Sequence, residues 1–305
     1  MATGHSVMSP PLFQNQKVSM LNRIKPYLQL APLTLILILF VAAPLVFIVI
    51  VSFFRTNGFD IEPAFSFENY ASVLTSQLTI DLYLKMLKFA LLTWIFSLVL
   101  GFFVAYFLVF HVRNRTVAIT LFLVCTVPFW TSNVIRMISW LPMLGQGGVI
   151  NSALMYMGLI QSPLRFLLYS EFAVIISYVH LFTIFMIVPV FNAMSRIDPI
   201  LFEAARDAGA TRLQTLVGVV LPLTKSGIAL GSIFVVTLVM GDFYVVKVMS
   251  GGSAASVVSA MYDDVSTLLF PHATASAVIL LLVLTGMIAL LVRFVDVRRE
   301  LILQR

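Results

Sequence analysis

Hydrophobic residues occupy most of the chain in long runs that shorter polar stretches separate. A bilayer core needs about 20 consecutive apolar residues for each helix that crosses it, and six runs reach that length. The predicted spans are residues 30–54, 86–110, 117–141, 167–194, 222–246 and 274–294. The pattern therefore predicts an all-α integral membrane protein with six transmembrane helices.

The composition agrees with a membrane protein and excludes a soluble domain. Of the 305 residues, 60% are hydrophobic and 10% are charged. The net charge of +6 does not indicate nucleic acid as a partner, because the basic residues lie beside the hydrophobic runs and form no stripe with interleaved aromatic residues. The single cysteine, Cys125, excludes an intramolecular disulfide.

The basic residues also predict the orientation in the membrane. With six spans, both termini lie on one side, and the loops of that side carry about twice as many Lys and Arg residues as the opposite loops. The positive-inside rule then places both termini in the cytoplasm. We expect a cytoplasmic tail at 1–29, a membrane domain at 30–294 and a second cytoplasmic tail at 295–305. No cleavable signal is expected, since the first apolar run is longer than a signal sequence needs.

The cytoplasmic loop 195–221 contains the stretch "EAARDAGATRLQTLVGVVLP". Asp198 followed by Pro199 is typical of a helix start, and Gly209 is a natural helix end. Thr211 and Gln214 have the spacing of a capping box, which begins a second helix that leads to the fifth span. The loop is therefore predicted to hold two short helices around the glycine.

The first of these helices has a narrow apolar stripe, formed by Leu201, Ala204, Ala205 and Ala208 at helical spacing. Helices that rest on lipid favour bulky anchors, whereas a stripe of alanines allows another backbone to approach closely. Phe202 is the one large side chain that a partner pocket would accept. These residues leave two interpretations: a protein-docking element, or a helix packed on the membrane surface or on the bundle.

The loop also resembles a known family. Glu203-Ala204-Ala205, then Gly209 after three residues, and Val219-Val220-Leu221-Pro222 after nine more, is similar to the "EAA" loop of permease subunits of binding-protein-dependent ABC importers. Val219 replaces the isoleucine of that pattern. Segments from about residue 140 to 252, including "GDFYVVKVMSGG", resemble the spermidine/putrescine branch, so the likeness covers more than a third of the chain.

This resemblance implies a type I importer permease in the inner membrane of a bacterium, with two permeases, two ATPase subunits and an extracytoplasmic solute-binding protein. It favours a different chain as the second permease. It makes the first loop helix a coupling helix that contacts the ATPase. The implied coupling residues are Pro199, Leu201, Phe202, Glu203, Ala204, Ala205, Asp207, Ala208 and Gly209.

Nucleotide-binding and metal-binding motifs are absent from the sequence. No G-x-x-x-x-G-K-[ST] occurs, and "GQGG" at 145–148 lacks the lysine and the hydroxyl that hold phosphates and metal. We expect ATP and Mg²⁺ to act through the partner ATPase, so that this chain is not an enzyme and binds no cofactor itself. The four histidines are scattered and have no metal-ligand spacing.

Charged and aromatic residues near the outer ends of the spans are the candidates for the substrate path, because a charge at membrane depth faces a cavity or a partner. The candidates are Asp242, Tyr244, Glu171, Asp263, Asp264, Trp130 and Trp140. The carboxylates form either an acidic entry for a polycation or salt bridges with Arg136, Arg165 and Lys247. The tryptophans either line the path or serve as packing and interface anchors.

The outer segment 142–166 holds a glycine turn and a semi-apolar helix with Ile150, Leu154, Met157 and Ile160. This helix either lies along the outer mouth or packs on the bundle.

The leading hypothesis is an ABC permease for polyamines or a related small solute. Lys247 leaves room for an anion such as an organic acid, a phosphonate or an opine. A proton-coupled secondary transporter using Asp242 is a second class, disfavoured because inverted repeats are not evident. A membrane enzyme is a third, disfavoured because no acid, base and nucleophile converge.

Overall fold

A computed structural model describes residues 30–57, 60–252 and 254–294. The predicted tails 1–29 and 295–305 lie outside the described residues. The described residues up to Ile48 form one compact unit, and those from Val49 onward form a second. The α-helices are α1 Leu30–Val51, α2 Glu68–Thr75, α3 Gln77–Phe110, α4 Arg115–Thr126, α5 Asn133–Ile138, α6 Leu141–Leu144, α7 Val149–Tyr156, α8 Glu171–Met194, α9 Ile200–Asp207, α10 Arg212–Thr215, α11 Leu221–Leu223, α12 Lys225–Met240, α13 Tyr244–Met249, α14 Val257–Ser266 and α15 Phe270–Phe294.

Shorter elements complete the described chain. The 3₁₀ turns are Val127–Trp130 and Arg165–Leu167, and π-helical turns occur at Ile38–Ala42 within α1 and at Leu216–Val220. Two short strands, β1 Arg55–Asn57 and β2 Asp60–Glu62, pair antiparallel with Arg55 opposite Glu62. This hairpin was not predicted from the hydrophobic pattern, because strands this short leave no periodic signal.

Four helices are each long and apolar enough to cross a membrane: Leu30–Val51, Gln77–Phe110, Glu171–Met194 and Phe270–Arg293. Two further segments reach that length only as bent pairs, so the described chain has up to six spans. An all-α membrane fold with six spans is therefore confirmed in outline. The third and fifth predicted spans are the two that are bent.

The third predicted span, 117–141, is broken. Its first part runs to Trp130, and the helices that follow are inclined to it by 95°. Pro128 is the second residue of the 3₁₀ turn that ends the first part, and the Ser132 hydroxyl accepts a hydrogen bond from the Val134 amide to begin α5. Because Phe129 contacts Phe185 half-way along α8, with ring centroids 5.4 Å apart, the break lies within the depth of the bundle.

The fifth predicted span, 222–246, is also divided. Helical residues Arg212–Leu223 meet α12 at 66°, and the buried Thr224 lies at the bend, where its hydroxyl donates to the Val220 carbonyl at 2.8 Å. At its other end α12 stops at Met240, and α13 is a separate short helix. Asp242 therefore lies outside the membrane-spanning helix, in the turn between α12 and α13.

The second span begins earlier than predicted. Helix α3 has 34 residues and begins at Gln77 rather than at residue 86, with the Ser76 hydroxyl accepting from the Thr79 amide. At 1.5 Å per residue it is about 50 Å long, which exceeds the thickness of the bilayer core. The last part of the connection between the predicted spans 30–54 and 86–110 is thus a helical extension of the bundle.

Helices α3, α8 and α12 form the centre of the second unit, and Met186 of α8 lies where the three helices meet. This side chain is fully buried, and added Cβ atoms at Gly101 of α3 and Gly231 of α12 would lie within 2.7 Å and 2.6 Å of it. Small residues allow membrane helices to approach this closely. Hydrogen bonds from Trp94 to Ser232 (2.7 Å) and from Thr183 to Ser97 (3.2 Å) join the same three helices.

Gly227 and Gly231 together form a G-x-x-x-G pattern on α12, which faces the turn of α8 that contains Pro189. A Cβ at position 227 would lie 2.5 Å from the Pro189 carbonyl oxygen. Backbone cannot move aside as the end of a flexible side chain can, so glycine at this position sets the distance between α8 and α12.

We expect Gly227→Ala to destabilise the protein by about 1–3 kcal/mol, the usual cost of overpacking. Gly286→Ala in α15 is the matched control, because a Cβ there meets no atom within 4 Å. Its effect should have the opposite sign, since alanine favours helix over glycine by about 0.8–1 kcal/mol. Melting temperatures of the purified proteins in one detergent compare the two; equal shifts would contradict the packing described here.

Candidate functional site

The two candidate sites lie at opposite ends of the second unit. The loop end carries residues 195–221, where Phe202 contacts Phe110 at the last residue of α3. The far end carries the first turn of α8 and the connection from α12 to α14.

Helix α9 at the loop end begins as the sequence predicts. The Asp198 carboxylate accepts a hydrogen bond from the Ile200 amide at 3.0 Å, and Pro199 follows it in a helical conformation. Proline at this position costs no hydrogen bond, because the first helical amides have no partner within the helix. The start of the predicted coupling helix is thus built by local chemistry.

Gly209 ends α9 in the left-handed conformation, with φ +77°. Its amide donates to the Arg206 carbonyl, and the Ala210 amide donates to the Ala205 carbonyl, both at 2.9 Å. These two bonds form a Schellman motif. The capping box of the second helix is present, with Thr211 and Gln214 each accepting from the other's backbone amide. Both predicted helix boundaries around the glycine are confirmed.

The predicted coupling residues divide between two faces of α9. Leu201, Glu203, Ala204, Asp207 and Ala208 are exposed, as are Pro199 and Gly209 beside the helix, while Ala205 and Phe202 are half-buried. The Phe202 ring lies 4.9 Å from the Phe110 ring of α3, centroid to centroid. Phe202 therefore packs within the chain and joins α9 to α3. The exposed apolar surface comes from Leu201 and the alanines.

At the far end, Asp242 is held by two hydrogen bonds. Its Oδ1 atom accepts from the Tyr178 hydroxyl at 3.1 Å and from the Val245 amide at 2.9 Å. Tyr178 belongs to α8 and is 1% exposed. Burial raises the pKa of Asp242, and the two hydrogen bonds oppose that change. The carboxylate therefore links the buried face of α8 to the start of α13.

Two of the other acidic candidates pair with lysines, and the third pairs with a histidine. Glu171 accepts from Lys88 of α3 at 2.6 Å, and Asp264 lies 2.8 Å from His272 Nδ1. Asp263 Oδ1 lies 3.8 Å from the Lys247 ammonium, which also sits 4.5 Å from the centroid of the Tyr262 ring. Of the three cations expected from the sequence, Lys247 does pair with a carboxylate. The structure assigns Glu171 to Lys88 instead of Arg136 or Arg165.

The aromatic candidates lie apart from one another. Trp130 is 87% exposed at the corner of the broken third span, and Trp140 donates from Nε1 to His180 Nδ1 of α8 at 3.0 Å. Tyr244 is the exposed first residue of α13, and the preceding Phe243 stacks on Tyr262 with 5.0 Å between ring centroids. The structure thus gathers Asp242, Asp263 and Tyr244 into one region, whereas Trp140 is hydrogen-bonded to α8.

The helix predicted in the outer segment 142–166 is α7, and Asn151 anchors it. This buried amide donates to the Gly145 carbonyl at 3.0 Å and accepts from the Leu164 amide at 2.8 Å. Ile150 packs against the core, whereas Met157 is exposed. One side of this segment is therefore packed on the bundle, and its C-terminal end is open.

Sequence reasoning missed Tyr178 and Lys88 as partners of the predicted carboxylates. Both lie within long apolar helices, where an isolated polar residue is common and does not by itself indicate a specific partner. The G-x-x-x-G pattern in the sequence could have indicated that α12 packs closely on another helix. No sequence pattern indicates that Tyr178 contacts Asp242, because the two residues are 64 positions apart. The described ranges contain no group of three or more His, Cys, Asp or Glu side chains that could hold a metal ion.

The fold is that of an ABC importer permease. A chain in the crystal structure of a bacterial ABC transporter involved in the import of the acidic polysaccharide alginate aligns with a TM-score of 0.71 at 19% identity, covering 90% of this chain and 97% of that one. In a second structure, that of a bacterial alginate ABC transporter in complex with an alginate pentasaccharide-bound periplasmic protein, the TM-score is 0.67 at 18% identity, with coverage of 88% and 94%. At these identities the likeness shows the fold alone.

Sequence comparison identifies the family. No family model matches the chain. The spermidine/putrescine transport system permease protein PotB of Escherichia coli K12 is 36% identical over 216 residues, which are 70% of this chain and 77% of that protein. PotB of Haemophilus influenzae is 35% identical over 222 residues, with coverage of 72% and 76%. This chain belongs to the family of spermidine/putrescine transport system permeases, and it is a multi-pass membrane transport subunit.

We expect Gly209→Ala to open the α9 end, because a side chain in the left-handed region costs about 1–2 kcal/mol. Amide hydrogen exchange over residues 205–211 should accelerate by about tenfold. Gly218→Ala in the same loop is the control, since a Cβ there meets nothing within 4 Å and its φ is not positive. Unchanged exchange in Gly209→Ala, measured by mass spectrometry, would contradict the assigned cap.

Proposed function

We propose that this chain is the membrane-spanning subunit of an ATP-driven importer for spermidine, putrescine or a similar small polycation. The observation that carries the proposal is the identity of 36% over 216 residues with permeases named for spermidine and putrescine. The acidic and aromatic far end is the surface on this chain with the chemistry to receive such a solute.

Asp242 is the carboxylate best placed to bind a cationic solute during transport. Its two hydrogen bonds come from groups without formal charge, Tyr178 and the Val245 amide, and no cation of the described residues forms an ion pair with it. Glu171 and Asp263 each pair with a lysine, and Asp264 is hydrogen-bonded to His272. Lys247 is shared between Asp263 and Tyr262, which weakens the case for an anionic solute at this position.

The loop end supports a partner ATPase as the driving subunit. Helix α9 is fixed at both ends by caps, and it exposes Leu201 and Ala204 together with Glu203. Phe202 joins this helix to the end of α3. A displacement of α9 would therefore be transmitted to α3, which is packed along α8 and α12. In this proposal ATP and Mg²⁺ bind to the ATPase pair, and this chain hydrolyses no nucleotide.

The remaining partners and the orientation belong to the same proposal. A second permease chain completes the membrane pathway, and a solute-binding protein delivers the solute to the far end outside the cytoplasm. The loop end faces the cytoplasm, in agreement with the excess of Lys and Arg on that side. The membrane is then the inner membrane of a bacterium.

The substrate is tested by uptake of labelled spermidine into proteoliposomes that contain the complete importer. We expect Asp242→Asn to lower kcat/KM by at least about tenfold, since a charge-assisted contact is worth about 1.5–3 kcal/mol. Asp81→Asn is the control, because Asp81 is exposed at the same end and accepts only a 3.2 Å bond from Gln77. No spermidine uptake by the wild-type importer, or equal activity of both variants, would refute this assignment.

The coupling role is tested by binding of the purified ATPase to this permease in nanodiscs. We expect Glu203→Gln to weaken binding about tenfold, which corresponds to about 1.4 kcal/mol, and to uncouple ATP hydrolysis from uptake. Arg212→Gln removes a charge from the adjoining exposed helix and serves as the control. Normal binding and transport by Glu203→Gln would remove α9 from the ATPase interface.

A further inference from the structure

The Lys247 ammonium lies between an aromatic ring and a carboxylate at the far end. Its Nζ atom is 4.5 Å from the centroid of the Tyr262 ring and 3.8 Å from Asp263 Oδ1. A ring face attracts a cation within about 6 Å, and a neighbouring carboxylate adds a Coulombic attraction. We call the Tyr262 ring and the Asp263 carboxylate the ammonium cradle.

The cradle is built without help from Lys247. Tyr262 and Asp263 belong to α14, which begins with a capping box between Ser256 and Ser259. Phe243 stacks on Tyr262 with ring centroids 5.0 Å apart and planes inclined by 13°. The Lys247 ammonium lies over the same ring, 4.5 Å from its centroid. Because Phe243 and α14 hold the Tyr262 ring, its position does not depend on the lysine side chain.

Lys247 is held loosely in this position. Its side chain is 52% exposed and that of Asp263 is 71% exposed, and their 3.8 Å separation exceeds the 2.6 Å of the Lys88–Glu171 pair. Exposed ion pairs contribute little to stability and are screened by salt. The four-carbon stem of lysine also lets its ammonium move without a change in the backbone.

We propose that the cradle is a binding site for a primary ammonium group of the transported solute, and that Lys247 occupies it at rest as a displaceable substitute. An incoming alkylammonium has the same charge and hydrogen-bond donors as the lysine head group. It takes the face of Tyr262, and the lysine turns to solvent. Asp242 lies five residues before Lys247, in the turn that leads into α13, and accepts a hydrogen bond from Val245 of that helix. This inference rests on the proposed polyamine substrate.

The lysine then lowers the apparent affinity for the solute. A site that is free for only a fraction of the time binds with an affinity reduced by that fraction. For an exposed pair combined with one cation–π contact, the reduction is about two- to fivefold. Lys247 thus keeps the far end from retaining stray cations and makes release into the pathway easier.

The test measures binding of labelled spermidine to the permease pair with its ATPase in nanodiscs, without the solute-binding protein. We expect Lys247→Met to bind spermidine about two- to fivefold more tightly than the wild type. Lys247→Arg should bind as weakly as the wild type, because arginine also occupies a ring face. Adding Tyr262→Leu to Lys247→Met should abolish the gain.

Lys85→Met is the matched control, since it removes one positive charge from α3 at the same end and makes no ion pair with Asp263. An equal gain in Lys85→Met would overturn the proposal in favour of general electrostatics. A gain that persists without the Tyr262 ring, or no gain in Lys247→Met, would also overturn it.

Two further measurements separate the proposal from its alternatives. Lysines of the solute-binding protein carry the same ammonium chemistry, so docking of the unloaded binding protein is measured on the same variants. Tighter docking in Lys247→Met with unchanged spermidine binding would mean that the cradle receives a lysine of the binding protein and not the solute, which would overturn the proposal.

If the wild-type importer takes up no polyamine, the proposed function fails by itself. n-Propylamine then tests the cradle, and equal binding to Lys247→Met and the wild type overturns it.

Discussion

The described membrane bundle depends on how closely α8 and α12 approach each other. Gly227 leaves space for the Pro189 carbonyl, and Gly231 leaves space for Met186, which also fills the space beside Gly101 of α3. Lipid chains are as apolar as the side chains of these helices, so burial of apolar surface gives little preference for one helix neighbour over another. Close packing of small residues and a few hydrogen bonds supply that preference instead.

Both candidate sites depend on this central packing. Since α3, α8 and α12 are held together, the last residue of α3 lies where Phe202 of the loop can pack on it. At the other end, the same arrangement brings Tyr178 of α8 to the turn that follows α12, where its hydroxyl donates to Asp242. A rigid three-helix centre is therefore the structural connection between the face that would contact an ATPase and the residues that would contact a solute.

Local features were predictable because the interactions that form them are a few residues long. The Asp198 cap, the left-handed Gly209 and the Thr211–Gln214 box each involve residues at most five positions apart, and all three are present as the sequence indicates. The interrupted spans were not predictable in the same way. Hydropathy averages over about 20 residues, so the 95° break after Trp130 has no effect on it.

The sequence by itself determined the class of fold, the approximate positions of the spans and the folded loop, because the bilayer requires long apolar helices and capping is local. Only the tertiary structure decided the partners of the charges. It joined Lys88 to Glu171, Tyr178 to Asp242, and Lys247 to Tyr262 and Asp263. These pairs connect different helices, and their distances follow from helix packing that no periodicity along the chain encodes.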